Sequence, residues 1–124
     1  MRPSIITEIK SFDQFIDIIS INTTAITIIK LSAKWCQPCK RIEPLVYQWA
    51  DKMPDNVQIC CIDIDVSIEL YSFLKKKRIV NGIPALLCYD KTKTIIPCDV
   101  VIGADTNQVN QFFERCLTRS RMAS

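Results

Sequence analysis

Two cysteines three positions apart, Cys36 and Cys39, are the residues best placed to do chemistry. They stand in the run Trp35-Cys36-Gln37-Pro38-Cys39, with Lys40 behind it and the apolar stretch Ala25 to Leu31 ahead of it. That stretch is β-branched and continuous, as in a strand covered on both faces. The pattern after it predicts a helix from Cys36 to about Met53. The thiols then sit where a strand ends and a helix begins. A helix start offers free backbone N–H groups and a positive dipole end, both of which favour a negative charge. The thiolate is the nucleophilic form of cysteine. Pro38 suits a first turn, where its missing N–H is not needed. Reversible two-electron chemistry is the expectation, with Cys36 the nucleophile at the helix mouth and Cys39 the resolving thiol one turn further in.

Composition removes several alternatives. The chain has no histidine, which excludes Cys/His zinc sites, Cys-His nucleophiles and Ser-His-Asp triads. One C-x-x-C supplies two thiolates where a structural zinc wants four ligands, so no metal is expected, and no cofactor beyond the Cys36–Cys39 disulfide itself. A net charge of +3 is too small to point to nucleic acid. The run Lys75-Lys76-Lys77-Arg78 reads as a solvated helix end whose cations suit the dipole. The apolar runs are short and broken by charge, and Met1 to Lys10 lacks the apolar core of a signal peptide. These features predict a cytoplasmic, reducing setting with no membrane contact. A length of 124 residues predicts one domain, residues 1–118, followed by a frayed tail over 119–124.

The elements that must position the dithiol follow from periodicity. Ile5 to Ile9 reads as a short strand. Ser11, with Gln14 three residues on, reads as a capping box for a helix over Phe12 to Ser20. Asn22-Thr23 is a loop. Pro44 falls inside the helix from Cys36 and should kink it. Val57 to Asp63 is a second buried strand, whose neighbours Cys60 and Cys61 point to opposite faces and should not pair. Ser67 to about Lys77 is a helix with Ile68, Leu70, Tyr71 and Leu74 inward. Ala85 to Tyr89 and Thr94 to Ile102 form an antiparallel hairpin across the polar turn Asp90-Lys91-Thr92-Lys93. Thr106 caps a last helix that buries Val109, Phe112, Phe113 and Leu117. Strand–helix–strand units near the start imply parallel pairs, and the hairpin adds antiparallel edge strands.

With these motifs placed, the chain resembles the thioredoxin family over nearly its whole length. Trp35-Cys36-Gln37-Pro38-Cys39-Lys40 is similar to the family's active-site run, Pro44 to its helix-kinking proline, Gly82-Ile83-Pro84 to its cis-proline loop and Gly103 to the glycine before its last helix. The resemblance implies an α/β thioredoxin fold, a mixed central sheet of about five strands with helices on both faces. It implies a cis bond at Pro84, which would lie against the active-site disulfide. It implies a monomeric thiol–disulfide oxidoreductase acting on protein disulfides, served by a thioredoxin reductase or a thiol oxidase. Trp35, Pro38, Ile83 and Pro84 would rim the site for an extended substrate segment, although Ile83 also reads as core. The other implied use of the fold is a docking subunit in which the dithiol is idle.

The departures from the family bear on chemistry. The buried Asp usual on the strand before the active site, six residues ahead of the nucleophile, is Lys30 here. The family's partner Lys on the neighbouring strand falls at Cys61, and Gln37 replaces the usual Gly. Lys30 has two readings. Its stem could lie along apolar surface while the amine reaches water or an acid such as Asp63. Alternatively, a cation near Cys39 would stabilise its thiolate and make the disulfide a stronger oxidant than thioredoxin's, at about −270 mV. Cys61 reads either as a third redox thiol or as an inert buried cysteine, and Cys60, Cys88 and Cys116 as inert. Cys98, after Pro97 on a strand expected near an edge, is the most exposed and oxidisable of the rest.

Overall fold

The strand expected ahead of the dithiol is β1 (Ile26–Ser32), and the sheet is built around it. The computed structural model describes residues 5–20, 24–91 and 94–122. Among them β2 (Val57–Asp63), β3 (Ala85–Tyr89) and β4 (Asp99–Ile102) complete a four-stranded sheet in the order β2-β1-β3-β4. β2 runs parallel to β1 in a register from Ile26↔Val57 to Ser32↔Asp63. β3 runs antiparallel to β1, from Thr27↔Tyr89 to Leu31↔Ala85, and β4 antiparallel to β3. The carboxyl ends of β1 and β2 and the start of β3 therefore lie at one end of the sheet.

Helices cover both faces. α1 (Phe12–Ile19) and α3 (Ile68–Lys76) pack on one side, where Phe15, Ile18, Leu70 and Leu74 meet Ile29, Leu31, Ile62 and Leu87. α2 (Gln37–Lys52) and α4 (Thr106–Met122) pack on the other, where Ile42, Val46, Phe112 and Phe113 meet Ile26, Ile28, Ile59 and Leu86. Alternation along β2 splits its two thiols as expected: Cys60 is fully buried in the first layer, while Cys61 lies partly buried against the second.

Among the described residues the sheet has four strands, not about five. Of the expected first strand only Ile6 pairs, bridging Cys60; its N–H donates to the Ile59 carbonyl at 3.0 Å and its carbonyl accepts from Cys61 at 2.8 Å. The chain then turns off the ladder, and the Ile9 N–H donates instead to the Ser67 hydroxyl at 3.0 Å. β4 begins at Asp99, not Thr94. The Thr94 hydroxyl bonds the Ile96 N–H and carbonyl at 3.3 and 2.9 Å, the Tyr89 hydroxyl takes the Ile95 carbonyl at 3.0 Å, and Pro97 has no N–H to give. Local side-chain bonds thus displace the ladder there. Thr92 and Lys93 of the expected turn, and the Asn22-Thr23 loop, lie outside the described residues.

The helix ends also refine the sequence reading. Ser11 accepts the Gln14 N–H at 3.1 Å, but Gln14 reaches back to the Lys10 N–H, one position before the usual capping-box partner. Asp105 caps α4, accepting the Gln108 N–H at 3.0 Å, and Thr106 is the first helical residue rather than the cap. Ile68 is exposed, since it opens α3 on the outer side. Residues 119–122, expected to be tail, continue α4. Ser120 is buried there, its carbonyl accepting the Asn56 side-chain amide at 3.0 Å, which ties the helix end to the loop before β2.

Candidate active site

Cys36 is the N-cap of α2, with extended backbone geometry, and Gln37 and Pro38 are the first helical residues. The first turn, Gln37-Pro38-Cys39-Lys40, contains no acid to compete for its N–H groups. The Cys39 N–H donates to the Cys36 sulfur at 3.2 Å, the bond that a Ser or Asp cap would accept elsewhere. The two cysteines are joined in a disulfide, their Cα atoms 5.3 Å apart. Both are buried, while Trp35, Gln37 and Lys40 around them are exposed. Reduction would leave the Cys36 sulfur at a helix mouth with a backbone donor already aimed at it, a setting that favours thiolate over thiol.

Trp35 is 64% exposed, yet its orientation is set: the indole N–H donates to Asp65 at 2.8 Å. Asp65 is itself positioned by its own N–H bond to the Asp63 carboxylate, also at 2.8 Å. Across the site the Ile83–Pro84 bond is cis. Pro84 is buried, and its carbonyl accepts the Gly103 N–H at 2.8 Å. Gly103 adopts φ +110°, a conformation that favours glycine. Pairing of Leu31 with Ala85 brings the Pro84 loop to the end of β1 that leads into Cys36. Cys36, Cys39, Ala33 and Ala85 share one buried layer, with Ile83 packed against it, so Ile83 does contribute to the core.

Lys30 is buried in mid-sheet, 2% exposed, directly opposite Cys61 in the β1–β2 register. Its partner is not Asp63 but Glu43, whose carboxylate lies 3.8 Å from the ammonium. Glu43 follows Cys39 by four residues on α2, which puts the two on the same face one turn apart. The Lys30 ammonium therefore approaches the helix within a turn of the resolving cysteine. Glu43 is half exposed, so the ion pair has one desolvated member and one wet one. Burial raises the Cys61 thiol above its ordinary value, while the Lys30 charge pulls it down and Glu43 pushes it up. Burial pushes the Cys60 thiol, on the other face, up to about 12. Among the described residues no group of three His, Cys, Asp or Glu side chains is placed to hold a metal ion, and no helix is long and apolar enough to cross a membrane.

A C-x-x-C disulfide at the carboxyl end of a central strand, beside a cis-proline loop and between two helical layers, defines a protein of the thioredoxin fold. The family model described as Thioredoxin matches residues 4–115, and the chain belongs to that family. It is 27% identical over 108 residues to Thioredoxin H8 of Arabidopsis thaliana, covering 86% of this chain and 68% of that one. It is 28% identical over 102 residues to Thioredoxin 1 of Plasmodium falciparum, covering 82% and 88%. The crystal structure of thioredoxin from Trypanosoma brucei brucei superimposes with a TM-score of 0.72 at 26% identity over 95% of each chain.

The site thus unites Trp35, Cys36, Pro38, Cys39, Ile83 and Pro84 at one end of the sheet, with Lys30 and Cys61 in the strands behind. Sequence reasoning missed Glu43 and Asp65. The spacing of Glu43 from Cys39 was a usable signal. Nothing in the spacing of Asp65 marked it, because Trp35 reaches it across space from another loop.

Proposed function

We propose that this protein is a thiol–disulfide oxidoreductase that exchanges electrons with protein disulfides through Cys36 and Cys39. The observation that carries the reading is the Cys36 sulfur at the N-cap of α2, bonded to Cys39 and facing its N–H. In the reductive direction the Cys36 thiolate attacks a substrate disulfide, forming a mixed disulfide and releasing one substrate thiolate. Cys39 then attacks the Cys36 sulfur, which re-forms the internal disulfide and releases the second substrate thiolate. Two electrons pass to the substrate. Trp35, Pro38, Ile83 and Pro84 form the apolar rim, and the backbone at Ile83 offers pairing to an extended substrate segment. A thioredoxin reductase or a thiol oxidase resets the dithiol. The protein works as a cytoplasmic monomer.

Its poise is more oxidising than that of an ordinary thioredoxin. A buried ammonium within a helical turn of Cys39 favours a thiolate there, and so favours the reduced state. Cys61, opposite Lys30, completes this tuning pair with a neutral thiol where the family carries a cation. The Lys30–Glu43 pair supports the reading, since it accounts for a lysine that burial alone would expel.

Reduction of insulin disulfides, recycled with dithiothreitol, tests the activity. The wild-type chain accelerates precipitation of the insulin B chain and Cys36→Ser loses the acceleration. Equal rates for the two proteins would instead make the chain a docking subunit with an idle dithiol.

A further inference from the structure

Outside the C-x-x-C pair the cysteines are free thiols, and three of them share one core layer. Cys88 lies on β3, Cys98 just ahead of β4 and Cys116 on α4, all in the core layer under α2 and α4. Cys88 and Cys116 are fully buried, and Cys98 is partly exposed at the edge of the sheet. The Cys98 N–H donates to the Cys88 carbonyl at 2.8 Å, and the Cys98 thiol donates to the same oxygen at 3.3 Å. Cys116 lies in the same buried layer as Cys88. One reachable thiol is thus tied to the backbone of a second, buried cysteine, with a third in the same layer.

The charges around the group are unequal in what they leave free. Arg115 is committed to Asp99, with bonds of 2.7 and 3.2 Å. Arg119 is near enough to pull Cys88 and Cys98 toward the thiolate, and its buried Nε has no hydrogen-bond partner among the described residues. Asp90 opposes it at Cys98, and the Tyr89 hydroxyl, bonded to Ile95, feels the same thiol. Sulfur contact and burial outweigh Arg119 and hold Cys98 above its ordinary range. At neutral pH Cys88 and Cys98 therefore keep their protons and react slowly. The sheet lies between it and the disulfide: Cys36 and Cys39 belong to the opposite core layer, so the two sets of sulfurs do not exchange within one molecule.

We propose that Cys98 and Cys88 form a second thiol–disulfide couple, oxidised by hydroperoxides, with Cys98 the entry sulfur, Cys88 the resolving sulfur and Arg119 the counter-ion of the Cys98 thiolate. The Cys98 thiolate attacks the O–O bond of a hydroperoxide, which breaks to give Cys98 sulfenic acid and an alcohol, or water from hydrogen peroxide. The Cys88 sulfur then attacks the sulfenic sulfur. The S–S bond forms, the S–O bond breaks, and the departing hydroxide takes the Cys88 proton as water. Two thiols lose two electrons and one hydroperoxide gains them. Cys116 stays a thiol.

Hydrogen peroxide treatment of the reduced Cys36→Ser/Cys39→Ser protein isolates this couple from the active site, and disulfide mapping without reduction reads it. Trypsin separates the three thiols into 79–91, 94–115 and 116–119. The expected product joins 79–91 to 94–115, reverts with dithiothreitol, and forms faster as pH rises from about 7 to 9 while the Cys98 thiolate fraction grows. In an otherwise wild-type chain Cys98→Ser abolishes the product and leaves insulin reduction unchanged. Three results would overturn the proposal: Cys98 advancing to sulfinic acid while Cys88 stays a thiol, Cys88 linking to Cys116 instead, or all the thiols surviving at the higher pH.

Discussion

The Cys36–Cys39 pair and the Cys88–Cys98–Cys116 group use the same side chain and differ in their neighbours. At the first, the nearest donor is a backbone N–H at a helix mouth, 3.2 Å from the Cys36 sulfur. At the second, the Cys98 thiol donates to a β3 carbonyl and burial raises both Cys88 and Cys98, so the surroundings on balance favour keeping a proton. Backbone amides stabilise charge, whereas carbonyl oxygens and burial stabilise its absence. Proximity of sulfurs alone therefore does not make a fast redox site; the polarity of the surrounding donors sets the speed.

The largest effect that could break this contrast is a labelling ratio. With limiting iodoacetamide at about pH 7, Cys36 of the reduced protein should react at least about tenfold faster than Cys98 or Cys88, since a C-x-x-C thiol at a helix start is more ionised than even an ordinary free cysteine. Mass mapping of the alkylated peptides checks it. Comparable labelling of Cys98 and Cys36 would dissolve the distinction. A second measurement isolates burial from hydrogen bonding. Cys60 has no sulfur hydrogen bond among the causes of its shift, yet burial pushes its thiol from 9.0 up to about 12. The unfolded chain then releases this proton first as pH rises, so stability falls from about pH 9 toward 12. The full interval is worth about 4 kcal/mol. Urea unfolding at several alkaline pH values should show the decline, and Cys60→Ala should remove the Cys60 share of it, leaving that of the other raised thiols and Tyr89, while costing about 1 kcal/mol at neutral pH.

The two thiol sites were unequally legible in the sequence, for a physical reason. The dithiol, its helix start and Pro38 are local: contiguous residues carry the motif, and cap chemistry acts within one turn. The limits of β2 and β3 were equally readable, because Val57–Asp63 is a mostly apolar run that starts after Pro54-Asp55-Asn56, and Ala85–Tyr89 is a continuous buried run between Pro84 and Asp90. Ile5 to Ile9 looked like a strand by composition, but pairing is decided by what lies alongside, and only Ile6 finds a ladder partner. Thr94 to Pro97 failed as strand because side-chain bonds from Thr94 and Tyr89 took its backbone groups. Cys98 could be judged oxidisable from Pro97 and an edge position. That its neighbours are Cys88 and Cys116 depends on three elements converging, which no single stretch records. The same holds for Glu43, which answers Lys30 only because α2 lies across β1.

The Lys30–Glu43 pair gives the smallest effect and the finest test, because it asks whether a side chain, rather than a helix start, also tunes the faster site. Every tenfold change in the equilibrium between dithiol and disulfide is about 1.4 kcal/mol, or about 30 mV. Replacing Lys30 with Met keeps the stem and removes the charge, so the Cys39 thiolate loses its cation and the potential should fall by about 30 mV. Glu43→Gln should move it the opposite way by a smaller amount, since the carboxylate is half exposed and screened by water. Redox titration against glutathione at about pH 7 reads both. The double variant should fall between the single ones, because the two substitutions remove opposite charges from one contact. Equal potentials for wild type and Lys30→Met, or a wild-type value at or below about −270 mV, would leave the helix mouth as the sole source of the poise.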